Sequence, residues 1–145
     1  VVQYNLQNDI FIEYKGNNPL YILKDNVYNF KDAKAYDKND GDITEQIIIN
    51  SNVNFQVPGE YITEYFVTNS KKVNKSITRR IIIYDIDYNM SKTVFNNKMV
   101  VSINIDKEYF SKIKLPDGSY SEDNNINYTF VENGNYEFEI YDKYT

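Results

Sequence analysis

Two stretches decide the fold of this chain: AYDKNDGDIT at residues 35–44 and VPGEYITEYFV at residues 57–67. The first is a polar, acidic loop that leads into a strand. The second is a turn followed by strict alternation, with Tyr61, Tyr65 and Val67 on one face and Glu60 and Glu64 on the other. A period of two residues is typical of a strand with one buried face. Together the two stretches predict a β-sandwich, with the three apolar side chains in its core.

The composition supports an all-β fold with a packed core. Of the 145 residues, 41% are hydrophobic and 16% aromatic, which is too apolar for a disordered chain. Alanine occurs only at Ala33 and Ala35, whereas isoleucine, valine, tyrosine and threonine are abundant. These β-branched and aromatic side chains pack well on a pleated surface. No segment shows sustained helical periodicity, and residues 28–36 are expected to hold at most a turn.

The residue types that are missing exclude several kinds of site. The chain has no cysteine and no histidine. Disulfides, thiol nucleophiles, histidine general bases and ordinary zinc sites are therefore excluded.

The net charge of −5, with both signs interspersed, argues against a nucleic-acid partner. No apolar run approaches the roughly 18 residues of a membrane span, so no membrane insertion is expected in this segment. Because the sequence starts at Val1, we expect it to be part of a longer protein.

The one local basic cluster comprises Lys71, Lys72, Lys75, Arg79 and Arg80. We interpret it as the solvated surface of a hairpin formed by residues 61–68 and 77–84. Arg79 and Arg80 are expected to act as charged residues that protect the apolar run at 81–83 from aggregation.

Further strands follow from short apolar or alternating runs bounded by turn residues. In the first half they are predicted at residues 10–14, 20–23, 47–49 and 53–57. Residues 85–90 are interpreted as a junction. In the second half strands are predicted at 99–105, 109–115, 126–131 and 136–141, with tight turns at 116–119 and 133–134.

An internal repeat divides the chain. GEYITEY at residues 59–65 and GNYEFEI at 134–140 both place a tyrosine two residues after a glycine, at the start of an alternating strand. The arrangement is similar to the tyrosine corner of immunoglobulin-type sandwiches, in which the tyrosine hydroxyl hydrogen-bonds back to the chain upstream. We therefore predict two tandem Ig-like antiparallel β-sandwich domains, at residues 1–86 and 87–145. The second ends in the turn after its tyrosine strand and is predicted to lack the last strand.

The motifs resemble a known family. A-x-D-x-x-D-G-D-I-T at residues 35–44, V-P-G-x-Y-x-x-x-Y-x-V-T at 57–68 and Arg80 before a β-branched strand look like the bacterial Ig-like, cadherin-like or HYR-like repeat of Gram-positive surface and secreted proteins. The family's usual D-x-x-G-N hairpin turn is replaced here by NSKKVN at 69–74.

The resemblance implies an extracellular, non-catalytic spacer or adhesion segment on the bacterial surface. Its partners would be neighbouring Ig-like modules of the same chain, or a host protein or glycan, and it supplies no catalytic residues. The alternative is a carbohydrate-binding or accessory module of a secreted hydrolase.

Calcium is the only cofactor for which the sequence offers candidate ligands. Asp37, Asn39, Asp40 and Asp42 could supply oxygens from one loop, but Gly41 stands one place too early for an EF-hand. We favour the interpretation that these residues form a turn and cap backbone amides. A second set, Asp85 and Asp87, could join a calcium site of cadherin type at the junction. We do not favour calcium at either place, and the prediction is that no metal is bound.

No catalytic residue is predicted. Glu60 with Glu64 and Glu137 with Glu139 are carboxylate pairs of the kind used by glycosidases, yet each pair lies on the outer face of a strand. The 15 tyrosines could form a sugar-stacking platform, but their alternation assigns most of them to the core and its rim. Ile62 and Phe66 are expected to point outward beside Glu64 and to form an apolar contact patch.

Overall fold

In the computed structural model, which describes residues 9–145, the chain forms two compact units, Val1–Tyr84 and Asp85–Thr145. This division lies two residues before the boundary expected from the sequence. The described residues contain strands, turns and a short 3-10 helix but no α-helix. The fold is therefore all-β, as predicted.

The first unit contains two sheets. Its strands are β1 (Ile10–Tyr14), β2 (Leu20–Leu23), β3 (Ala33–Asp37), β4 (Gly41–Asp42), β5 (Ile48–Ser51), β6 (Gly59–Thr68) and β7 (Asn74–Tyr84), with a 3-10 turn at Thr44–Gln46. One sheet has the order β1-β3-β4 and the other β2-β7-β6-β5. The long hairpin β6–β7 pairs Gly59 with Ile83 at one end and Thr68 with Asn74 at the other.

The core of the first unit lies between these sheets. Ile10 and Ile12 of β1 and Ala35 of β3 pack with Tyr65 and Val67 of β6, and all five are buried. The predicted inward face of β6 is thus confirmed. Complete burial of an aromatic or large aliphatic side chain contributes about 1.5–3 kcal/mol, so this β6 face is a main source of cohesion for the unit.

Three expectations about the strands of this unit are wrong. Residues 33–37 form β3 rather than a turn, because Ala33, Ala35 and Asp37 all point into the core. Residues 53–57 form a turn rather than a strand, since the Asn54 side chain and carbonyl accept the amide protons of Gln56 and Val57. The pairing is not wholly antiparallel: β2 runs parallel to β7, with Leu20 opposite Ile81.

The second unit also contains two sheets. Its strands are β8 (Tyr88–Phe95), β9 (Lys98–Ile105), β10 (Phe110–Lys114), β11 (Tyr120–Ser121), β12 (Asn125–Phe130) and β13 (Glu139–Asp142). The sheet orders are β12-β9-β8 and β11-β10-β13, with all pairs antiparallel. The buried core combines residues of β9, β10 and β12, namely Val101, Ile103, Ile105, Phe110, Ile113, Ile126 and Phe130.

Here too some boundaries differ from expectation. The predicted junction at 85–90 overlaps β8, which begins at Tyr88 and is exposed along its whole length. A strand without a buried face has no hydrophobic period to reveal it. The strand expected from Tyr136 begins only at Glu139. β13 is an edge strand of its sheet, while the absence of a further strand in the complete domain stays a prediction.

Candidate functional site

The acidic loop between β3 and β4 is held by its own carboxylates. Asp37 is fully buried; its Oδ1 accepts the amide protons of Asn39 and Asp40 at 2.9 Å, and its Oδ2 accepts Asn69 Nδ2 at 3.1 Å. These bonds, above all that from the Asp40 amide, hold the pKa of Asp37 below its usual range. Asp37 thus acts as a bridge between this loop and the β6–β7 turn.

Asp40 and Asp42 complete this arrangement. Both carboxylate oxygens of Asp40 accept bonds from Ser70, one from its amide and one from its hydroxyl, each at 2.7 Å. Asp42 accepts the Thr44 amide at 2.9 Å, and hydrogen bonds from Thr44 lower the pKa of Asp42. The interpretation of the loop as a turn with capped backbone amides is confirmed by these bonds.

The candidate ligands at the start of the second unit are arranged differently. Asp85 accepts the amide proton of its neighbour Ile86 at 2.9 Å, whereas Asp87 accepts the Asp106 amide through its backbone carbonyl at 2.8 Å. Within residues 9–145, no group of three or more Asp, Glu, His or Cys side chains could hold a metal ion.

A buried polar centre lies in the first unit around Arg79, and the sequence did not predict it. Arg79 is 1% exposed, so its assignment as a solvated charge beside the apolar run is wrong. Its Nη1 lies 2.8 Å from Asp32 Oδ2, and its Nε donates to the Asn17 carbonyl at 2.7 Å. The guanidinium carbon also lies 4.7 Å from the centroid of the Tyr14 ring, within range of a cation–π interaction.

Two further tyrosines bind the same carboxylate. Tyr28 donates to Asp32 Oδ2 at 2.6 Å and Tyr65 donates to Oδ1 at 2.9 Å. Burial, with the hydrogen bond to Asp32 adding to it, raises the pKa of both phenols. Each oxygen of Asp32 thus accepts a bond from a distant part of the chain, Oδ1 from Tyr65 and Oδ2 from Arg79, while Tyr28 binds from four residues upstream. We call Tyr28, Asp32, Tyr65 and Arg79 the Arg79 network.

The outer face of β6 carries the predicted apolar patch. Ile62 is 54% exposed and Phe66 is half-buried, with Glu64 between them. The structure adds Ile48 of β5, which lies directly opposite Phe66 and is 56% exposed. We call Ile48, Ile62 and Phe66 the β5–β6 patch. Beside it, exposed Arg80 forms an ion pair with Glu60 at 2.6 Å.

Both tyrosine corners are confirmed. The Tyr61 hydroxyl donates to the Val57 carbonyl at 2.9 Å, and the Tyr136 hydroxyl donates to the Glu132 carbonyl at 3.1 Å. Each bond returns to the residue four places upstream, so the same local device orients the chain in both units.

The carboxylate pairs lie on outer faces, as expected. Glu60 and Glu139 each bind a cation, Arg80 in one case and Lys114 in the other, at 2.6 and 3.0 Å. Glu137 is exposed beside Glu139. The hydrogen bond and the charge of Arg80 lower the pKa of Glu60, and the hydrogen bond from Tyr141, followed by that from Lys114, lowers the pKa of Glu139. A general acid requires the opposite shift.

An aromatic group covers the outer face of sheet β11-β10-β13. The rings of Tyr120 and Tyr141 lie 5.9 Å apart at 60°, and the Lys112 ammonium lies 4.5 and 5.4 Å from their centroids. Tyr141 donates to Glu139 Oε2 at 2.7 Å, and this bond is the main reason why the pKa of Tyr141 rises to about 12. A cavity of about 300 Å³ includes two neighbours of this group, Lys114, which pairs with Tyr120, and Glu139, which accepts from Tyr141. Its other lining residues are Leu115, Pro116, Gly118, Asn135, Tyr136 and Glu137.

Comparison with known families matches residues 12–83 to the family described as "Bacterial surface protein, Ig-like domain". The matched segment lies within the first unit and covers just under half of the chain. No curated protein sequence matches significantly. Within the described residues, no helix is long and apolar enough to cross a membrane.

Solved structures show distant similarity. The lipoprotein BT2262 from Bacteroides thetaiotaomicron is 21% identical with a TM-score of 0.47, over 90% of this chain and 60% of that one. A structure of CBM51-2 in complex with GlcNAc and INT domains, from Clostridium perfringens ZmpB, is 19% identical with a TM-score of 0.45, over 80% and 26%. The M60 catalytic domain with CBM51-1 and CBM51-2 from the same protein is 20% identical with a TM-score of 0.44, over 79% and 13%. The chain thus spans less than two thirds of each.

Proposed function

We propose that this chain is a non-catalytic Ig-like segment of a bacterial surface protein that acts as a spacer or adhesion segment. The observation that carries this proposal is the match of residues 12–83 to a bacterial surface Ig-like family. The two tandem Ig-like domains, at about 1–86 and 87–145, and an extracellular location on a Gram-positive cell are parts of the same proposal.

The chemistry of the first unit supports a structural role. The carboxylates of Asp32, Asp37 and Asp40 are each bonded to donors on distant segments of the chain. A catalytic carboxylate would instead face a cleft, with a pKa shifted toward its working pH. In this unit these three carboxylates therefore join separate segments of the chain.

The β5–β6 patch is the contact surface in this proposal. Ile48 and Ile62 are more than half exposed on the outer face of a regular sheet, where a contact with another module or a host protein would bury them. The partner is a neighbouring Ig-like module of the same chain or a host surface protein.

A binding experiment tests this function. The 145-residue chain would be immobilised and exposed to host-matrix proteins (collagen, fibronectin and fibrinogen) and to a longer recombinant segment containing the adjoining modules. We expect at least one to bind, and Ile48→Ser with Ile62→Ser to weaken binding, whereas Val27→Ser, at an 82% exposed site outside the patch, leaves it unchanged. Equal affinities for the patch variant and the control, or hydrolysis of a glycan or peptide by the chain, would contradict the proposal.

A further inference from the structure

The second unit carries, on its outer face, a combination of side chains that the family match does not reach. The match ends at residue 83, whereas this face belongs to β10, β11 and β13. Lys114 lies in the middle of a cross-strand row, with Tyr120 opposite it on one side and Glu139 on the other. Lys112 and Tyr141 form the adjacent row.

The face offers an aromatic surface. Tyr120 is 54% exposed although it touches two other side chains. Its ring is held in place by Lys112 and by the tilted ring of Tyr141. A tyrosine positioned in this way loses little rotamer freedom when a ligand packs on it, because it has already been ordered by its neighbours.

The cavity next to the rings offers both donors and acceptors. Lys114 and Asn135 can donate, Asn135 can also accept, and Glu137 and Glu139 are acceptors, and all four line the 300 Å³ cavity. That volume is at the lower end of small-molecule sites. A ligand with many hydroxyl groups, each able to donate and accept, matches such a mixed wall better than a group that only donates or only accepts.

The charges favour a neutral ligand. Lys114 is paired with Glu139 at 3.0 Å, Lys112 lies over the two rings, and Glu137 adds a negative charge to the cavity wall. No surplus of positive charge faces the cavity to recognise a carboxylate or a sulfate. The apolar C–H face of a sugar ring can pack on Tyr120 while its hydroxyls reach Glu139 and Lys114.

From this geometry we propose that the outer face of sheet β11-β10-β13 binds a neutral saccharide. Tyr120, supported by Tyr141 and Lys112, forms the stacking surface, and Lys114, Asn135, Glu137 and Glu139 form the hydrogen-bonding wall. This site is independent of the contact function proposed for the first unit.

The test is NMR titration of the 145-residue chain with lactose, maltotriose, cellotriose and chitotriose at millimolar concentrations, and with sialyllactose as the acidic probe. We expect shift changes for one or more neutral sugars that are concentrated at Lys114, Tyr120, Glu139 and Tyr141. Tyr120→Ala should weaken that binding about tenfold, which corresponds to the loss of one stacked ring.

Two matched variants make the result decisive. Tyr88→Ala removes a tyrosine that is 57% exposed on the other sheet of the same unit and should leave affinity unchanged. Glu139→Gln preserves the size of the side chain and should weaken binding without loss of the fold. Shift changes elsewhere, equal effects of Tyr88→Ala and Tyr120→Ala, binding of sialyllactose alone, or no response to any neutral sugar would overturn the proposal. None of these outcomes involves the β5–β6 patch. The saccharide proposal can therefore fail while the contact function proposed for the first unit stands, and the reverse is also true.

Discussion

The adjacent arginines of β7 provide the sharpest test of the buried network. Arg79 and Arg80 are neighbours in sequence and each forms one ion pair, yet Arg79 is 1% exposed and the Arg80 side chain is 53% exposed. We predict that Arg79→Met strongly destabilises the first unit and that Arg80→Met does not. The same substitution at two neighbouring positions therefore isolates the effect of burial.

The expected magnitude follows from what Arg79→Met leaves behind. Asp32, whose side chain is 15% exposed, would keep its two tyrosine donors but lose its counter-charge. The Asn17 carbonyl would lose its partner as well. Removing one member of a buried ion pair costs about 3–5 kcal/mol. For a unit of about 80 residues, each kcal/mol lowers the melting temperature by about 4–8 °C, so the decrease should reach at least about 12 °C.

The assay is thermal and urea unfolding of the 145-residue chain, followed by calorimetry and by the near-ultraviolet signal of its tyrosines. A double-mutant cycle with Asp32→Asn separates the ion pair from general disruption: the double variant should lose about 1–3 kcal/mol less than the sum of the single losses. Arg80→Met serves as the control because exposed ion pairs contribute little. Melting temperatures for Arg79→Met and Arg80→Met within about 2 °C of each other, or strict additivity with Asp32→Asn, would refute the reasoning.

The remaining predictions concern the tyrosine corners, the acidic loop and calcium. Tyr61→Phe and Tyr136→Phe should each cost about 0.5–1.5 kcal/mol in urea unfolding, since each removes one hydrogen bond to a backbone carbonyl; no loss for either would contradict this role. The folded protein lowers the pKa of Asp37, so this stabilisation is complete above the unfolded value of about 3.9 and is lost as the pH falls through the folded value. Melting between pH 6 and 2 should show this loss, and Asp37→Asn should reduce the pH dependence. Calcium should leave the melting curve unchanged, because both oxygens of Asp40 are already bonded to Ser70. A calcium-dependent rise that Asp40→Ala abolishes would show that the loop opens to bind the ion.

The strands that bury one face were predictable from the sequence, and those without a clear buried face were not. The alternation of β6 revealed both its position and its inward residues because one face is buried and the other solvated. β8 was missed since it is exposed on both faces. β3 was missed because its core positions are two alanines and an aspartate, residues with little preference for strands.

The Arg79 network shows a different limit. Its members come from residues 28, 32, 65 and 79, and only the fold brings them together. One signal was nevertheless present in the sequence. Arg79 stands two or four residues from Ile77, Ile81 and Ile83, so it lies on the same, inward face of β7 as they do. Arg80 lies on the opposite face. A strict reading of the alternation would have assigned Arg79 to the interior and raised the question of its counter-charge.

Three of the residues that carry the family resemblance, Asp37, Asp40 and Tyr61, hold loops and turns of the first unit in place. Asp37 and Asp40 connect the acidic loop to the β6–β7 turn, and Tyr61 closes its own corner. A chain without cysteine has no disulfide to make such connections, so buried and semi-buried hydrogen bonds take that role. The motif therefore specifies architecture and is silent about a ligand. We therefore expect recognition to involve side chains other than the fixed positions of the motif; Ile62 and Phe66 occupy its variable positions, and Ile48 and the Tyr120 face lie outside it.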